Sequence, residues 1–178
     1  KHFGYIDENK YAFVWIVDFP MIEYNEEGEL NGAHHPFTAY KVEDEKYWDS
    51  DPLKIRANAY DIVLNGYELG SGSLRIFDQN MQQKVFEKLG LSDEDIHVKF
   101  GFFVEALKYG TPPHCGMGLG LDRIAMILNH SSSLRDVIAF PKNASAVCPM
   151  SEAPTIVDQK QLDELGIKIV KKEGNDTQ

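Results

Sequence analysis

The chain has 178 residues, of which 43% are hydrophobic and 26% are charged, and its formal net charge is −10. This composition is typical of a globular chain that is long enough to build a sizeable core. The acidic balance argues against a segment that grips a nucleic acid by itself, because phosphate contacts need Lys and Arg. No apolar run approaches about 18 residues, so we expect no membrane span and no membrane partner. Two cysteines, Cys115 and Cys148, are too few for a disulfide framework and favour a reducing, cytoplasmic location.

The first part of the chain predicts strands and turns. Residues 12–19 form a nearly unbroken apolar run rich in aromatic and β-branched side chains, which predicts a buried strand. The sequence Asn25-Glu-Glu-Gly-Glu predicts a turn, and the segment that returns from it ends near His34-His35-Pro36. Residues 41–51 are polar and acidic and predict a mobile loop. Asp51-Pro52 is then expected to cap a short helical turn with Pro at its first position.

The second part of the chain predicts helices around a glycine-rich strand. Residues 78–90 and 92–110 predict two helices, because each range has a capping residue at its start and a glycine at its end. Residues 137–140 predict a short strand, residues 159–165 a small helix and residues 171–178 a frayed tail. Strands joined by hairpins and flanked by helices indicate an antiparallel α+β domain rather than a βαβ fold.

The most distinctive stretch, residues 116–128, reads Gly-Met-Gly-Leu-Gly-Leu-Asp-Arg-Ile-Ala-Met-Ile-Leu. After Gly120 the apolar residues repeat at helical spacing and predict a helix with one buried face, made of Leu121, Ile124, Ala125 and Leu128. The glycines strip side chains from the preceding strand, so a flat ligand can lie against its backbone. Arg123 falls in the first helical turn, where the helix dipole opposes a cation, and this placement indicates an anionic partner such as phosphate. The alternative is a packing turn followed by a solvent-facing Arg.

A pair of carboxylates follows from the predicted hairpin. Asn65-Gly66 is a strong two-residue turn signal, and such a turn places Val63 opposite Glu68 and Asp61 opposite Gly70. Asp61 and Glu68 are then diagonal neighbours on one face of the sheet. Oxygen ligands of this kind suit Mg²⁺ that is bound together with substrate phosphates. The alternative is two surface carboxylates on a solvated face.

Arg75 raises a question of strand geometry. It lies seven residues after Glu68, and a regular strand sends residues at an odd separation to opposite faces. A bulge within Gly70-Ser71-Gly72 would bring Arg75 to the face of Glu68. The alternative for Arg75 is a surface ion pair.

Several long motifs follow one another along the chain: Asp18-Phe-Pro-Met, His34-His-Pro-Phe-Thr, residues 59–76, Lys99-Phe-Gly-Phe, Tyr109-Gly-Thr-Pro-Pro-His, Gly118-Leu-Gly-Leu-Asp-Arg and Arg135-Asp-Val-Ile-Ala-Phe-Pro-Lys. Together, from about residue 11 to residue 172, they resemble the bacterial-type aspartyl-tRNA synthetases, which are class II enzymes. Residues 118–123 are similar to the third signature motif of that class, whereas nothing resembles the first two motifs or the anticodon-binding barrel. The resemblance implies that residues 1–170 are the C-terminal part of a class II catalytic domain, an antiparallel β-sheet flanked by helices, and that residues 171–178 are a flexible tail.

The resemblance also implies an activity. L-aspartate would react with ATP to form aspartyl-adenylate, and the aspartyl group would pass to the 3′ end of tRNA(Asp). The enzyme would use Mg²⁺ and act as a homodimer when full-length, and this fragment would be inactive alone.

Site roles carried over from the family fall on matching positions. Arg75 would bind the side-chain carboxylate of aspartate, and His34 would belong to a mobile loop that closes over it. His35 and His114 are expected to be structural or to support these residues. A zinc set that joins the histidines to Cys115 is disfavoured, because adjacent His residues are not a usual ligand pair.

The nucleotide site is expected at the glycine-rich helix start. The resemblance implies that ATP is bound by Glu68, Gly120, Leu121, Asp122 and Arg123, with Asp61 and Glu68 holding its magnesium. Arg123 would be the catalytic cation against the γ-phosphate, since a fixed cation stabilises charge on the leaving pyrophosphate.

Three rival functions remain at this point. Two are close: an asparaginyl-type synthetase, and an adenylate-forming asparagine synthetase paralogue that uses no tRNA. The third is a non-catalytic nucleotide-binding module, which predicts loss of Arg123, Glu68 or Arg75, and all three are present.

Overall fold

The computed structural model describes residue 7 and residues 9–170. Two compact units divide the chain between His130 and Ser131. The predicted tail, residues 171–178, lies outside the described residues.

The first unit contains a four-stranded antiparallel sheet. Its strands are β1 (Phe13–Val17), β4 (Ala59–Leu64), β5 (Tyr67–Leu74) and β6 (Cys115–Leu119), in the order β1-β4-β5-β6. A separate hairpin pairs β2 (Ile22–Tyr24) with β3 (Leu30–Gly32). Helices α1 (Gln79–Lys88), α2 (Asp93–Leu107) and α3 (Leu121–Leu128) accompany the sheet. This arrangement confirms the predicted antiparallel α+β class.

The hairpin between β4 and β5 turns at Asn65-Gly66, as predicted. Both residues have positive φ, 50° and 86°, which is the conformation that a two-residue turn requires. Val63 lies opposite Glu68, also as predicted. The prediction that Asp61 lies opposite Gly70 is wrong, because Asp61 lies opposite Ser71. The register shifts by one residue at Leu69, which forms a bulge in β5.

Most of the buried core is formed by residues around the β2–β3 hairpin, by the segments between β3 and β4, and by α1 and the residues just before it. Fully buried members include Met21, Ile22, Tyr40, Ile55, Ile76 and Val85. Both predicted helix caps are confirmed, since Asp78 Oδ1 accepts from Met81 N at 2.9 Å and Ser92 Oγ accepts from Asp95 N at 3.1 Å.

The prediction of a mobile loop over residues 41–51 is wrong. The segment forms a 3₁₀ helix, Val42–Tyr47, and a second short one follows at Pro52–Lys54 with Pro52 first, as expected. Asp44 is buried and accepts from Arg56 Nε at 2.8 Å and from Nη2 at 3.0 Å. A polar composition alone could not reveal that one carboxylate of the segment is tied to Arg56.

The strand predicted within residues 12–19 is present, but its predicted burial is wrong. Phe13 is 61% exposed and Ile16, the least exposed residue of β1, is 42% exposed. β1 is an edge strand that pairs on one side only, with β4. The apolar run therefore predicted the strand correctly, but it could not show whether other elements of the described chain cover that strand.

The predicted buried face of α3 is also wrong. Leu121 is 74% exposed and Leu128 is 60% exposed, whereas Met126 is buried. Helix α3 packs against β5, and this contact selects the buried residue. Helical periodicity predicted the helix but not which of its faces packs against β5.

The second unit has little regular structure in its described residues, 131–170. It contains a 3₁₀ turn, Leu134–Asp136, and α4 (Gln159–Glu164), which confirms the small predicted helix. The predicted strand over 137–140 is absent from this range. Val137 N donates back to Leu134 O at 3.2 Å, so the backbone closes a turn instead of entering a ladder. None of the helices in the described part of the chain is long and apolar enough to cross a membrane.

Candidate functional site

The bulge at Leu69 places the polar side chains of β5 on one face of the sheet. Residues of a strand alternate between faces, and one extra residue reverses that alternation. Glu68 on one side of the bulge therefore shares a face with Ser71 and Ser73 on its other side. Arg75, one residue past the end of β5, lines the same cavity as these two serines. The bulge predicted from the position of Arg75 exists, and it lies one residue before the predicted Gly70–Gly72 stretch.

Two glycines of β6 form a bare floor beside these residues. Gly116 lies opposite Ser73, and Gly118 lies opposite Ser71. A Cβ atom built on either glycine meets no atom within 4 Å. The glycine-rich strand therefore leaves open space over its backbone, as the sequence predicted for a flat ligand.

A cavity of about 360 Å³ lies over this floor. The turn that carries the two histidines forms one wall, and the strands form the other. Its polar lining includes His34, His35, Thr38, Ser71, Ser73 and Arg75. The volume lies at the small end of ligand pockets, which suits a small polar molecule.

Arg75 meets His35 at the edge of this cavity. Arg75 Nη1 lies 2.7 Å from Nε2 of His35, and Phe37 N donates to Nδ1 of the same ring at 3.2 Å. An imidazolium would turn an N–H towards both of these donors, whereas a neutral ring keeps one nitrogen that can accept from one of them, so the neutral ring fits the site better. Burial, followed by the positive charge of Arg75, lowers the pKa of His35 below 6.5.

His34 takes a different position from its neighbour. Its ring meets Phe19 edge-on at 5.5 Å between centroids, and its Nε2 is buried with no hydrogen-bond partner among the described residues. Both histidines line the cavity, but His35 is the one that contacts Arg75.

Two further polar residues line the cavity and were missed from the sequence. Thr38 is fully buried and Ser73 is 3% exposed, and Thr38 Oγ1 donates to Ser73 Oγ at 3.4 Å. Ser73 could have been found from its spacing, because it lies two residues before Arg75 on the same face. Thr38 carried no comparable signal.

The start of α3 docks on the bulge. Gly120 N donates to the carbonyl of Leu69 at 2.7 Å, and Arg123 Nη1 donates to the carbonyl of Glu68 at 2.6 Å. Arg123 Nη1 also lies 3.9 Å from the carboxylate of Glu68. These contacts offset the unfavourable position of a cation in the first helical turn. The Arg123 side chain is still 44% exposed.

Asp61 and Glu68 lie at diagonal positions on one face, as predicted, despite the shifted register. Glu68 is exposed and Asp61 is half-buried. Within residues 7 and 9–170, no group of three or more His, Cys, Asp and Glu side chains has a metal-binding arrangement. Two carboxylates fit a cation whose remaining ligands are waters and substrate phosphates.

His114 and Cys115 lie beside a second cavity of about 360 Å³, lined also by Phe37 and Phe103. Arg75 borders both cavities. His114 Nδ1 lies 2.9 Å from the carbonyl of Pro112, so this ring has a local partner.

The family model described as tRNA synthetases class II (D, K and N) matches residues 3–144. The aspartate–tRNA ligase of Macrococcus caseolyticus is 58% identical over 170 residues, which are 95% of this chain and 29% of that protein. The aspartate–tRNA(Asp/Asn) ligase of Caldanaerobacter subterraneus is also 58% identical, with the same coverage. This chain thus spans less than a third of the length of the curated relatives it matches.

Among solved structures, the aspartyl-tRNA synthetase of Entamoeba histolytica aligns with a TM-score of 0.56 and 25% identity. The alignment covers 77% of this chain and 24% of that structure. The asparaginyl-tRNA synthetase of the same organism, in complex with asparaginyl-adenylate, aligns with a TM-score of 0.56 and 19% identity, over 78% and 27% of the two chains. The second similarity supports the fold alone.

Proposed function

Because this chain belongs to the class II tRNA synthetases (D, K and N), we propose that it forms the C-terminal part of the catalytic domain of an aspartate–tRNA ligase. The proposed enzyme activates L-aspartate with ATP and transfers the aspartyl group to the 3′ end of tRNA(Asp). We expect it to act in the cytoplasm as a homodimer. Relatives that are 52–58% identical and are named aspartate–tRNA ligases support the proposal.

The observation that carries the proposal is the position of Arg75 at a cavity of amino-acid size. A guanidinium offers a rigid fork of donors that matches a carboxylate, and its charge favours aspartate over the uncharged amide of asparagine. His35 contacts one arm of this fork and limits its orientation. Arg75 would bind the side-chain carboxylate of L-aspartate, and His34 would approach the amino acid from the turn above it.

ATP is assigned to the neighbouring part of the same face. The backbone of Gly120-Leu121-Asp122 begins α3, and Arg123 would lie against the γ-phosphate. Glu68, with Asp61 beside it, would hold Mg²⁺, which neutralises phosphate charge when it is bound. Glu68 therefore serves two roles, since its carbonyl also positions Arg123.

The proposed first step needs no nucleophile from the protein. An oxygen of the aspartate α-carboxylate attacks the α-phosphorus of ATP, and the bond from that phosphorus to pyrophosphate breaks. Arg75 orients the amino acid, and Arg123 stabilises the charge that develops on pyrophosphate. Positioning and electrostatics thus supply the catalysis.

The test is ATP–pyrophosphate exchange by a full-length protein that carries this sequence, with aspartate or asparagine as the amino acid. The proposal predicts exchange that depends on aspartate. Exchange supported by asparagine instead would favour the asparaginyl-type rival. Nucleotide binding without exchange on either amino acid would favour a non-catalytic module.

A further inference from the structure

Helix α1 contains one polar residue that is buried as deeply as its apolar neighbours. Gln82 is 1% exposed, and Val85 and Phe86 on the same helix are fully buried. Its amide Nε2 donates to the carbonyl of Pro36 at 2.8 Å. Its Oε1 is buried without a hydrogen-bond partner in the described part of the chain. A buried amide with one unpaired end is costly, so a side chain kept only for packing would be apolar at this position.

The partner of Gln82 belongs to the turn that carries the histidines. The peptide unit between Pro36 and Phe37 offers a carbonyl on one side and an N–H on the other. Its carbonyl accepts from Gln82, and its N–H donates to Nδ1 of His35 at 3.2 Å. Because a peptide unit is planar and rigid, fixing its carbonyl also fixes the direction of its N–H.

The chain of contacts continues to the cavity. The His35 ring contacts the Phe37 N–H through Nδ1 and also the Arg75 guanidinium, whose Nη1 is 2.7 Å from Nε2 and 3.2 Å from Nδ1. A turned peptide unit would withdraw its donor from the ring and remove one of the contacts that fix the ring beside Arg75, the others being the hydroxyls of Thr38 and Ser73 at 3.4–3.5 Å. Gln82 itself lines neither of the two cavities that Arg75 borders.

We propose that Gln82 is a positioning residue for the amino-acid pocket, which holds His35 against Arg75 through the Pro36–Phe37 peptide unit. The inference rests on the proposed function, in which Arg75 binds the aspartate side chain. Gln82 thereby contributes to the orientation of the guanidinium fork without contacting it.

The test compares Gln82→Met with Gln83→Met in a full-length protein that carries this sequence. Methionine is similar in length to glutamine, and it removes both the donor to Pro36 and the unpaired Oε1. Gln83 is the adjacent residue of α1, and its amide donates to Glu87 at 3.0 Å, away from the histidine turn. Gln82→Met should raise the KM for aspartate about tenfold and leave the KM for ATP unchanged, as expected for a weakened charged contact. Gln83→Met should change neither constant.

Thermal unfolding separates positioning from a purely structural role. Met removes the unpaired buried oxygen but also leaves the Pro36 carbonyl without its donor, and these effects oppose each other, so the Gln82→Met protein should stay folded and unfold near the wild-type temperature. A variant that is unfolded, or that unfolds well below wild type, would overturn the proposal, because the amide would then be needed for the fold itself.

A double variant tests the route through His35. In a His35→Ala background, Gln82→Met should have no further effect on the KM for aspartate, because residues that act through one contact are not additive. A full tenfold effect in that background, or a KM within twofold of wild type for the single variant, would overturn the proposal. A wild-type protein that catalyses no aspartate-dependent exchange would instead refute the proposed function.

Discussion

Arg75 and His35, 40 positions apart in sequence, meet at 2.7 Å between Nη1 and Nε2. A guanidinium can only donate, so this contact is a hydrogen bond only when the ring nitrogen that faces it carries no proton. The cavity proposed to bind the amino acid therefore has a cation next to a neutral imidazole at its edge.

The first prediction concerns the protonation of His35. Its pKa lies below 6.5, chiefly through burial and then through the charge of Arg75. Replacing Arg75 by Leu should raise this pKa towards 6.5 but not beyond it, because the effect of burial remains. The measurement is an NMR titration of protein with labelled histidine, with His35 assigned by a His35→Asn variant. A His35 that titrates above 6.5 with Arg75 in place would contradict the observed geometry.

The lowered pKa of His35 also makes the stability of the folded protein depend on pH. As the pH falls, His35 becomes protonated at a higher pH in the unfolded chain than in the folded chain. Acidification below about pH 6.5 therefore favours the unfolded state. His35→Asn should remove this contribution and flatten the pH dependence of the thermal midpoint in that range. A steeper dependence in the variant would contradict the prediction.

The second prediction tests the carboxylate pair. In the full-length protein, Glu68→Gln should weaken magnesium-dependent use of ATP much more than aspartate binding, since the neutral amide is a poorer ligand for Mg²⁺. Asp61→Asn should do the same more mildly. Calorimetry with Mg·ATP measures the affinity directly, and Glu23→Gln on the separate β2–β3 hairpin is a control. Unchanged Mg·ATP affinity in both site variants would show that the pair does not hold the metal.

The third prediction assigns Arg123 to the chemical step. Arg123→Ala should slow adenylate formation about 10²- to 10³-fold and leave aspartate affinity nearly intact. Arg123→Lys keeps the charge but loses the fork, so it should recover only part of the rate. Pre-steady-state pyrophosphate release measures this step. An Arg123→Ala enzyme that forms the adenylate at the wild-type rate would remove Arg123 from the mechanism.

The fourth prediction concerns the anchor of the 41–51 segment. Hydrogen bonds from Arg56 hold the pKa of Asp44 below 3.8. A lowered carboxyl pKa stabilises the fold above about pH 4, and this contribution is lost as the pH falls through the folded value. Asp44→Asn should therefore lower the thermal midpoint at pH 7, whereas Asp49→Asn at an exposed position of the same segment should not. Equal midpoints for both variants would show that the ion pair is not an anchor.

Features encoded within a few residues could be predicted from the sequence. The Asn65-Gly66 turn and the caps at Asp78 and Ser92 depend on local backbone chemistry, and all three are present. The need for a bulge could also be inferred, since Glu68 and Arg75 have the wrong parity for one face. Its location at Leu69 depends on pairing with β4 and on the docking of Gly120, which are contacts distant in sequence.

Features decided by distant partners could not be predicted. Periodicity placed Leu128 on a buried face of α3, but the packing of that helix on β5 leaves it exposed. The apolar run of β1 likewise said nothing about its edge position. Within the site, no local pattern shows that His35 rather than His34 contacts Arg75. The two histidines are adjacent in sequence, and only the folded backbone of the turn decides which ring faces Arg75 and which faces Phe19.

The isolated 178-residue chain should not aminoacylate tRNA. The resemblance to the synthetases implies that a second motif supplies an Arg for the α-phosphate and contacts to the acceptor end, and nothing in these 178 residues resembles that motif. Measurable charging of tRNA(Asp) by the purified chain would contradict this expectation.

The most direct test of the central claim is the KM for aspartate in ATP–pyrophosphate exchange by the Arg75→Leu variant of the full-length protein. Removing the guanidinium leaves the substrate carboxylate without its charged partner, and the KM for aspartate should rise about 10- to 100-fold while the KM for ATP stays within about twofold. A variant that uses aspartate with the wild-type KM, or that loses only ATP affinity, would contradict the assignment of this cavity to aspartate.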